Sequence, residues 1–265
     1  MEELKPINEI LSLKNKRAVI TGAAAGIGAA IAYRFAEVGA TLELVDIDMR
    51  GLNAIKRKLS QFNVEVNVYK VDLSKRENII SLWDDFEELP DILVNNAGIY
   101  LFKEFTEVDE DFLNTIMDVN LKSVFWMCQE MIRRRGKNGG VIINVASIEA
   151  VLPFAAGLVH YDISKMGVIA LTRALAREYG KMGFRINALI PGGIETKGVK
   201  KLKKEAAMKL NMDMIKTAIN FKSRLPLGRF GSPDEVARIA LVLASDMSSY
   251  MTGAMVAVDG GFLSA

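Results

Sequence analysis

Tyr161 and Lys165 stand four residues apart in the stretch His160-Tyr-Asp-Ile-Ser-Lys-Met-Gly167. On a helix that spacing puts both on one face, with Ser164 between them. A phenol held beside an ammonium can give and take a proton near neutral pH. The same spacing is common on solvated helix faces, so the pair gains meaning only from its company. Three further signals lie upstream in order: Thr21-Gly-Ala-Ala-Ala-Gly-Ile-Gly28, Asn95-Asn-Ala-Gly98, and Ser147 at the end of an apolar run.

The glycine string follows one apolar run and opens a helical pattern. Gly22, Gly26 and Gly28, with Ile27 among them, let the backbone turn tightly and let a pyrophosphate approach a helix N-terminus. A close-packed turn would use the same glycines. Asp46 ends the next apolar run, near the roughly 20-residue offset at which a carboxylate can hold the adenosine ribose hydroxyls. An acidic turn residue is the alternative there. Asp48 adds negative charge, residues 23–25 carry no cation, and Arg50 is the nearest one. A ribose phosphate would meet repulsion at Asp46, so the pattern predicts NAD in preference to NADP.

These residues need elements to position them. Short continuous apolar runs at 17–21, 41–45, 64–71, 91–94, 141–146, 184–190 and 255–258 alternate with helical patterns. The helical stretches cover 26–38, 50–61, 75–88, 109–135 with a break around Asn120, 160–182 and 233–245. Runs that are apolar throughout predict a parallel sheet buried on both faces, and their alternation with helices predicts a doubly wound α/β fold. Residues 1–15 form an amphipathic arm before a single domain spanning 16–265. Residues 195–224 interrupt the rhythm and sit where a helical lid would sit.

Bulk properties narrow the classes. The chain has 265 residues, 50% of them hydrophobic and 25% charged, enough for a large core. A net charge of +2 argues against nucleic-acid binding. One cysteine, Cys128 in an apolar helical run, excludes an internal disulfide and fits a buried thiol in a reducing compartment. One histidine and one cysteine leave few soft ligands for a metal. The acidic start and the lack of any membrane-length apolar run predict a cytoplasmic protein without membrane partners.

Taken together, the four motifs, with Pro191-Gly-Gly-Ile-Glu-Thr196 and Val258-Asp-Gly-Gly261, resemble the short-chain dehydrogenase/reductase family from about Arg17 to the end. The resemblance implies a Rossmann-type domain with a seven-stranded parallel sheet. It implies a catalytic set of Asn120, Ser147, Tyr161 and Lys165. It places Asp72 near the adenine ring, Asn95 and Gly98 in the loop over the adenosine side, and Pro191, Gly192, Ile194 and Thr196 at the nicotinamide. It also implies a homotetramer built on the helices at 120–135 and 160–182, with the C-terminal segment adding a contact.

Chemistry assigns the roles. Tyr161 is the base for a substrate hydroxyl and the acid in reverse, and Lys165 lowers its pKa and holds the nicotinamide ribose. Ser147, at a strand end, hydrogen-bonds the substrate oxygen, although a serine there also serves as a helix cap. Asn120 positions a water that links Lys165 to solvent. Glu149 falls at the pocket rim, suited to a sugar or polyol hydroxyl or to plain solvation. His160 points away from Tyr161. Lys197, Lys200, Lys201, Lys203, Lys204 and Lys209 form a solvated face or attract an anionic substrate. The intervening Val199, Leu202, Ala206, Met208, Leu210, Met212 and Met214 cover a substrate or fill core. Three functions stay open. One is an NAD-dependent dehydrogenase of a sugar, polyol or similar secondary alcohol. The second is a 3-oxoacyl-thioester reductase that docks an acidic carrier protein through Arg135 and Arg177. The third is a cofactor-binding scaffold without turnover.

Overall fold

The computed structural model describes residues 4–196 and 220–265. Its strands are β1 (Arg17–Thr21), β2 (Thr41–Asp46), β3 (Val66–Lys70), β4 (Ile92–Asn95), β5 (Gly140–Val145), β6 (Phe184–Pro191) and β7 (Met255–Val258). They make one parallel sheet in the order β3-β2-β1-β4-β5-β6-β7. The order reverses between β1 and β4, whose pairing runs from Ala18↔Ile92 to Ile20↔Val94. In a doubly wound sheet the crevice beyond the carboxyl ends at that reversal is where ligands bind.

Alternate residues of each strand feed opposite cores, as the two-residue period requires. Ala18 and Ile20 of β1, with Leu42 and Leu44 of β2, pack against α2 (Gly26–Glu37), α3 (Met49–Leu59) and α9 (Pro233–Ala244). Val19, Val45 and Leu93 face α4 (Arg76–Asp84), α6 (Ser123–Arg135) and α8 (Val159–Tyr179). Covering both faces is what makes the strands apolar throughout rather than alternating.

Three local features add to the sequence pattern. The arm is not separate from the core: α1 (Ile7–Ile10) precedes Leu13, which is buried and donates its N–H to Val38 O at 3.0 Å. The break at Asn120 is a π-helical turn, Asp118–Lys122, between α5 (Glu110–Met117) and α6. A one-turn helix, α7 (Ile148–Val151), follows β5. Of the expected lid, the lysines from Lys197 to Lys209 and the apolar positions from Val199 to Met214 lie outside the described residues.

Candidate active site

The cofactor end is assembled at the reversal of strand order. Gly22 leaves β1 with φ +65, and a Cβ there would stand 2.8 Å from Asn96 Nδ2. A Cβ on Gly28 would stand 2.2 Å from Gly22 O, so helix and turn touch backbone to backbone. Thr21 Oγ1 accepts from Asn96 N at 2.9 Å and Ala97 N at 3.0 Å, and Asn96 Nδ2 donates to Thr21 O and Gly22 O. The loops after β1 and β4 are thereby held as one unit. Asp46, at the tip of β2, accepts from Ala24 N and Asp48 N, each at 3.0 Å. Its carboxylate faces the glycine turn.

The start of α2 differs from that of α9. Ser232 and Glu235 close a capping box on α9 with Pro233 at its first turn. Ala25 occupies the same position on α2 and offers no side-chain cap. The first amides of α2 therefore point into the crevice beside Gly22 and Asp46 without a capping oxygen, which suits an anion. Thr196 reaches the same place, with its Cγ2 3.4 Å from where a Cβ of Gly26 would be. These residues fit a dinucleotide: backbone donors for a pyrophosphate, a carboxylate for a ribose, and space that side chains would fill.

The chemical end is built on β5, the π-turn and α8. Lys165 is buried and donates to Val145 O at 2.9 Å, at the end of β5. Its Nζ lies 6.0 Å from the centre of the Tyr161 ring. Burial pushes the ammonium down to about 8. Burial pushes the Tyr161 phenol up to about 12, against a hydrogen bond from Ser147 that lowers it. Among the protein's own groups, desolvation outweighs the lowering by Ser147. Ser147 Oγ also accepts from Glu149 N at 3.1 Å, capping α7. Asn120 is fully buried, and its amide clamps Ile99 from both sides, accepting from Ile99 N at 2.8 Å and donating to Ile99 O at 2.9 Å. The Asn120 carbonyl oxygen and Lys165 Nζ lie 3.2 and 3.4 Å from where a Cβ of Gly98 would be. Asn120, Ser147, Tyr161 and Lys165 therefore meet around one pocket floor.

Other sequence-derived candidates have partners within the chain. Asn95 is buried, and its amide donates to Asn144 Oδ1 at 2.8 Å and Cys128 Sγ at 3.4 Å. Its side chain braces the sheet rather than facing the adenosine side, because the two-residue period turns it inward. Asp72 caps its own turn through Ser74 N and Oγ, which holds its carboxyl low. Pro191 ends β6, and Gly192 N donates to Val258 O at 3.0 Å. The Ile194 side chain is in the core, which leaves its backbone bridging Gly231.

Glu149 is a correction. It is not at the rim but 1% exposed, and its Oε1 accepts from Phe154 N and Ala155 N at 3.0 and 2.9 Å. The chain after α7 folds back over it. Burial pushes its carboxyl up to about 7. His160 is buried against Leu101 O and Phe112, away from the pocket floor. Arg135 is a second correction: its guanidinium is engaged by Gly139 O, Pro90 O and Asp91 at the opposite rim of the sheet. Arg177 is exposed, but sixteen residues of helix place it about 24 Å from Tyr161. Tyr100, packed edge-on at 4.8 Å from Tyr161, and Asp162, pushed up to about 6 by burial, gave no signal in the sequence. Tyr100 lies in an aperiodic loop, and Asp162 reads as an ordinary first-turn acid.

Comparison with known proteins agrees with this geometry. The family model described as Enoyl-(Acyl carrier protein) reductase matches residues 22–263. The 3-oxoacyl-(acyl-carrier-protein) reductase FabG of Thermotoga maritima is 36% identical over 260 residues, covering 96% of this chain and 100% of its own length. The NAD-dependent glycerol dehydrogenase of Listeria innocua is 35% identical over 264 residues, covering 97% and 98%. The solved structure of a candidate NAD(P)-dependent gluconate 5-dehydrogenase from Beutenbergia cavernae superposes with a TM-score of 0.87 at 30% identity, covering 97% of this chain and 100% of that one. Glycine turn, paired Tyr161 and Lys165, and the reach of these matches along the chain lead to one assignment: this protein belongs to the short-chain dehydrogenase/reductase family of oxidoreductases.

Proposed function

We propose that the protein is an NAD-dependent dehydrogenase of a secondary alcohol, a sugar, polyol or similar molecule. The observation that carries it is the meeting of Ser147, Tyr161 and Lys165 at the carboxyl ends of the strands, beside the turn that faces Asp46. Nicotinamide dinucleotide, when bound, takes or supplies the hydride. Gly22, Gly26 and Gly28, with the uncapped start of α2, hold its pyrophosphate, and Asp46 accepts from its adenosine ribose. Asp72, the loop at Gly98 and the segment of Pro191, Gly192, Ile194 and Thr196 complete that groove. Tyr161 exchanges the proton of the reacting hydroxyl. Ser147 donates to the same oxygen and stabilises charge developing there. Lys165 holds a ribose and favours the phenolate once a cationic ring lies near. Asn120 fixes the loop of Gly98 and Ile99 against Lys165.

The glycerol dehydrogenase and gluconate relatives support a polyol or sugar. A second reading, reduction of a 3-oxoacyl thioester, is favoured by the Thermotoga relative. The engaged Arg135 and remote Arg177 speak against a carrier dock at these two residues. A homotetramer is supported by apolar Phe125 on α6 with Ile163 and Met166 on α8, all exposed; light scattering measures it. The deciding experiment is a panel of sugars, polyols and secondary alcohols with NAD and NADP, beside a 3-oxoacyl thioester with both reduced cofactors. The expected result is NADH formation from a polyhydroxy alcohol, and Asp46→Ala relaxes the cofactor preference roughly tenfold or more. Thioester reduction with NADPH as the fastest reaction would reverse the assignment.

A further inference from the structure

We propose that Glu149 is a positioning residue for Ser147, its buried carboxyl clamping the chain at Phe154 and Ala155 onto the one-turn helix that presents the serine hydroxyl. The proposal rests on the dehydrogenase reading above, in which Ser147 donates to the substrate oxygen.

Helix α7 has four residues, too few to hold its own shape. It is fixed at its start by Glu149 N donating to Ser147 Oγ at 3.1 Å. That bond uses the serine oxygen as an acceptor and leaves the O–H to donate on the side of the Tyr161 phenol, where the substrate oxygen would lie. The Glu149 side chain, from the same first turn, ties the helix to the chain beyond its end. One oxygen, Oε1, accepts from two successive amides, Phe154 N and Ala155 N. Phe154 is fixed in turn, with ring centres 4.7 Å from Phe221 and 5.1 Å from Phe262. The serine is thus tied through one carboxyl to an aromatic cluster that spans the loop after α7 and the C-terminal segment.

The arrangement is unfavourable for a carboxyl without a task. Glu149 is 1% exposed, and its other oxygen is buried with no hydrogen-bond partner. Burying an acid with one idle oxygen opposes folding. The return is the pair of amide bonds, which close the loop by giving two half-buried N–H groups an acceptor. Both bonds run to a carbonyl-type acceptor. A neutral carboxyl, or a glutamine, presents the same oxygen to the same amides.

The test uses the full-length protein in the variants Glu149→Gln, Glu149→Ala, Ser147→Ala and the double variant Ser147→Ala with Glu149→Ala. Glu149→Ala should lower kcat at least about tenfold while cofactor affinity holds, and Glu149→Gln should stay within about threefold of wild type. With Ser147 already alanine, Glu149→Ala should add less than about a threefold loss, because both act through one hydroxyl. A loss of equal size in both backgrounds, or Glu149→Gln as impaired as Glu149→Ala, would overturn the proposal. Hydrogen exchange gives a readout independent of substrate. The Phe154 and Ala155 amides should exchange faster in Glu149→Ala and as wild type in Glu149→Gln. Unchanged exchange in Glu149→Ala would also overturn it. An active Tyr161→Phe would instead contradict the dehydrogenase reading and leave the exchange result standing.

Discussion

Lys165 and Arg17 are both shielded cations, and they sit at opposite rims of one sheet. Arg17, at the start of β1, is ringed by carboxylates: it pairs with buried Glu43 and reaches Glu65 at 3.6 Å and Glu88 at 3.5 Å. Lys165, at the carboxyl rim, donates to one backbone carbonyl, and no carboxylate among the described residues pairs with it. The difference separates a structural charge from a chemical one. Arg17 is locked in its charged form by its partners and ties β1 to β2 and to the segments that precede β3 and β4. Lys165 is pushed down to about 8 and keeps donors for a hydroxyl or a phenolate.

Removing each cation should therefore fail in a different way. Lys165→Met should lower kcat by about 10³-fold or more and leave the melting temperature at or above that of wild type. A variant that melts sooner and turns over normally would erase the contrast. Arg17→Met leaves Glu43 buried and unpaired, so it should reduce stability by about 3 kcal/mol in urea titration while the folded fraction keeps its kcat. Adding Glu43→Gln to Arg17→Met should restore part of the loss.

A smaller effect follows from pH. The folded-state pKa of Lys165 is below that of the unfolded chain, about 10.4. The unfolded chain then binds more protons between the two values, so stability attributable to Lys165 rises as pH increases through that window. The penalty is full below about 8. Wild type should thus gain stability on Lys165→Met between pH 8 and 10, by about 1 kcal/mol or more. A flat difference would place the ammonium in a more solvated setting than the structure does.

The two rims also differ in how far the sequence discloses them. The strands and their order of faces were legible because a doubly covered sheet requires continuous apolar runs, and β1 falls at Arg17–Thr21 as the pattern predicts. Tyr161, Lys165 and the glycine turn were legible because helix spacing and strand-to-helix turns are local properties. The break at Asn120 showed as a discontinuity, but only the fold reveals a π-turn with the amide clamping Ile99. Glu149 was misplaced because its burial depends on six residues of aperiodic chain folding back onto it. For Asn95 the motif names the residue, but the strand period turns its side chain into the sheet. The Arg17 cluster gave no sign, since its partners come from one strand and two separate loops.

The central claim is that Tyr161 moves the substrate proton while other residues bind the cofactor. Its most direct test is the turnover of Tyr161→Phe measured beside its NAD affinity by titration. Phenylalanine keeps the edge-on packing with Tyr100 and removes only the hydroxyl. The account predicts a loss in kcat of about 10³-fold or more with a dissociation constant for NAD within about threefold of wild type. A variant that binds NAD equally and retains most of the wild-type rate would contradict it.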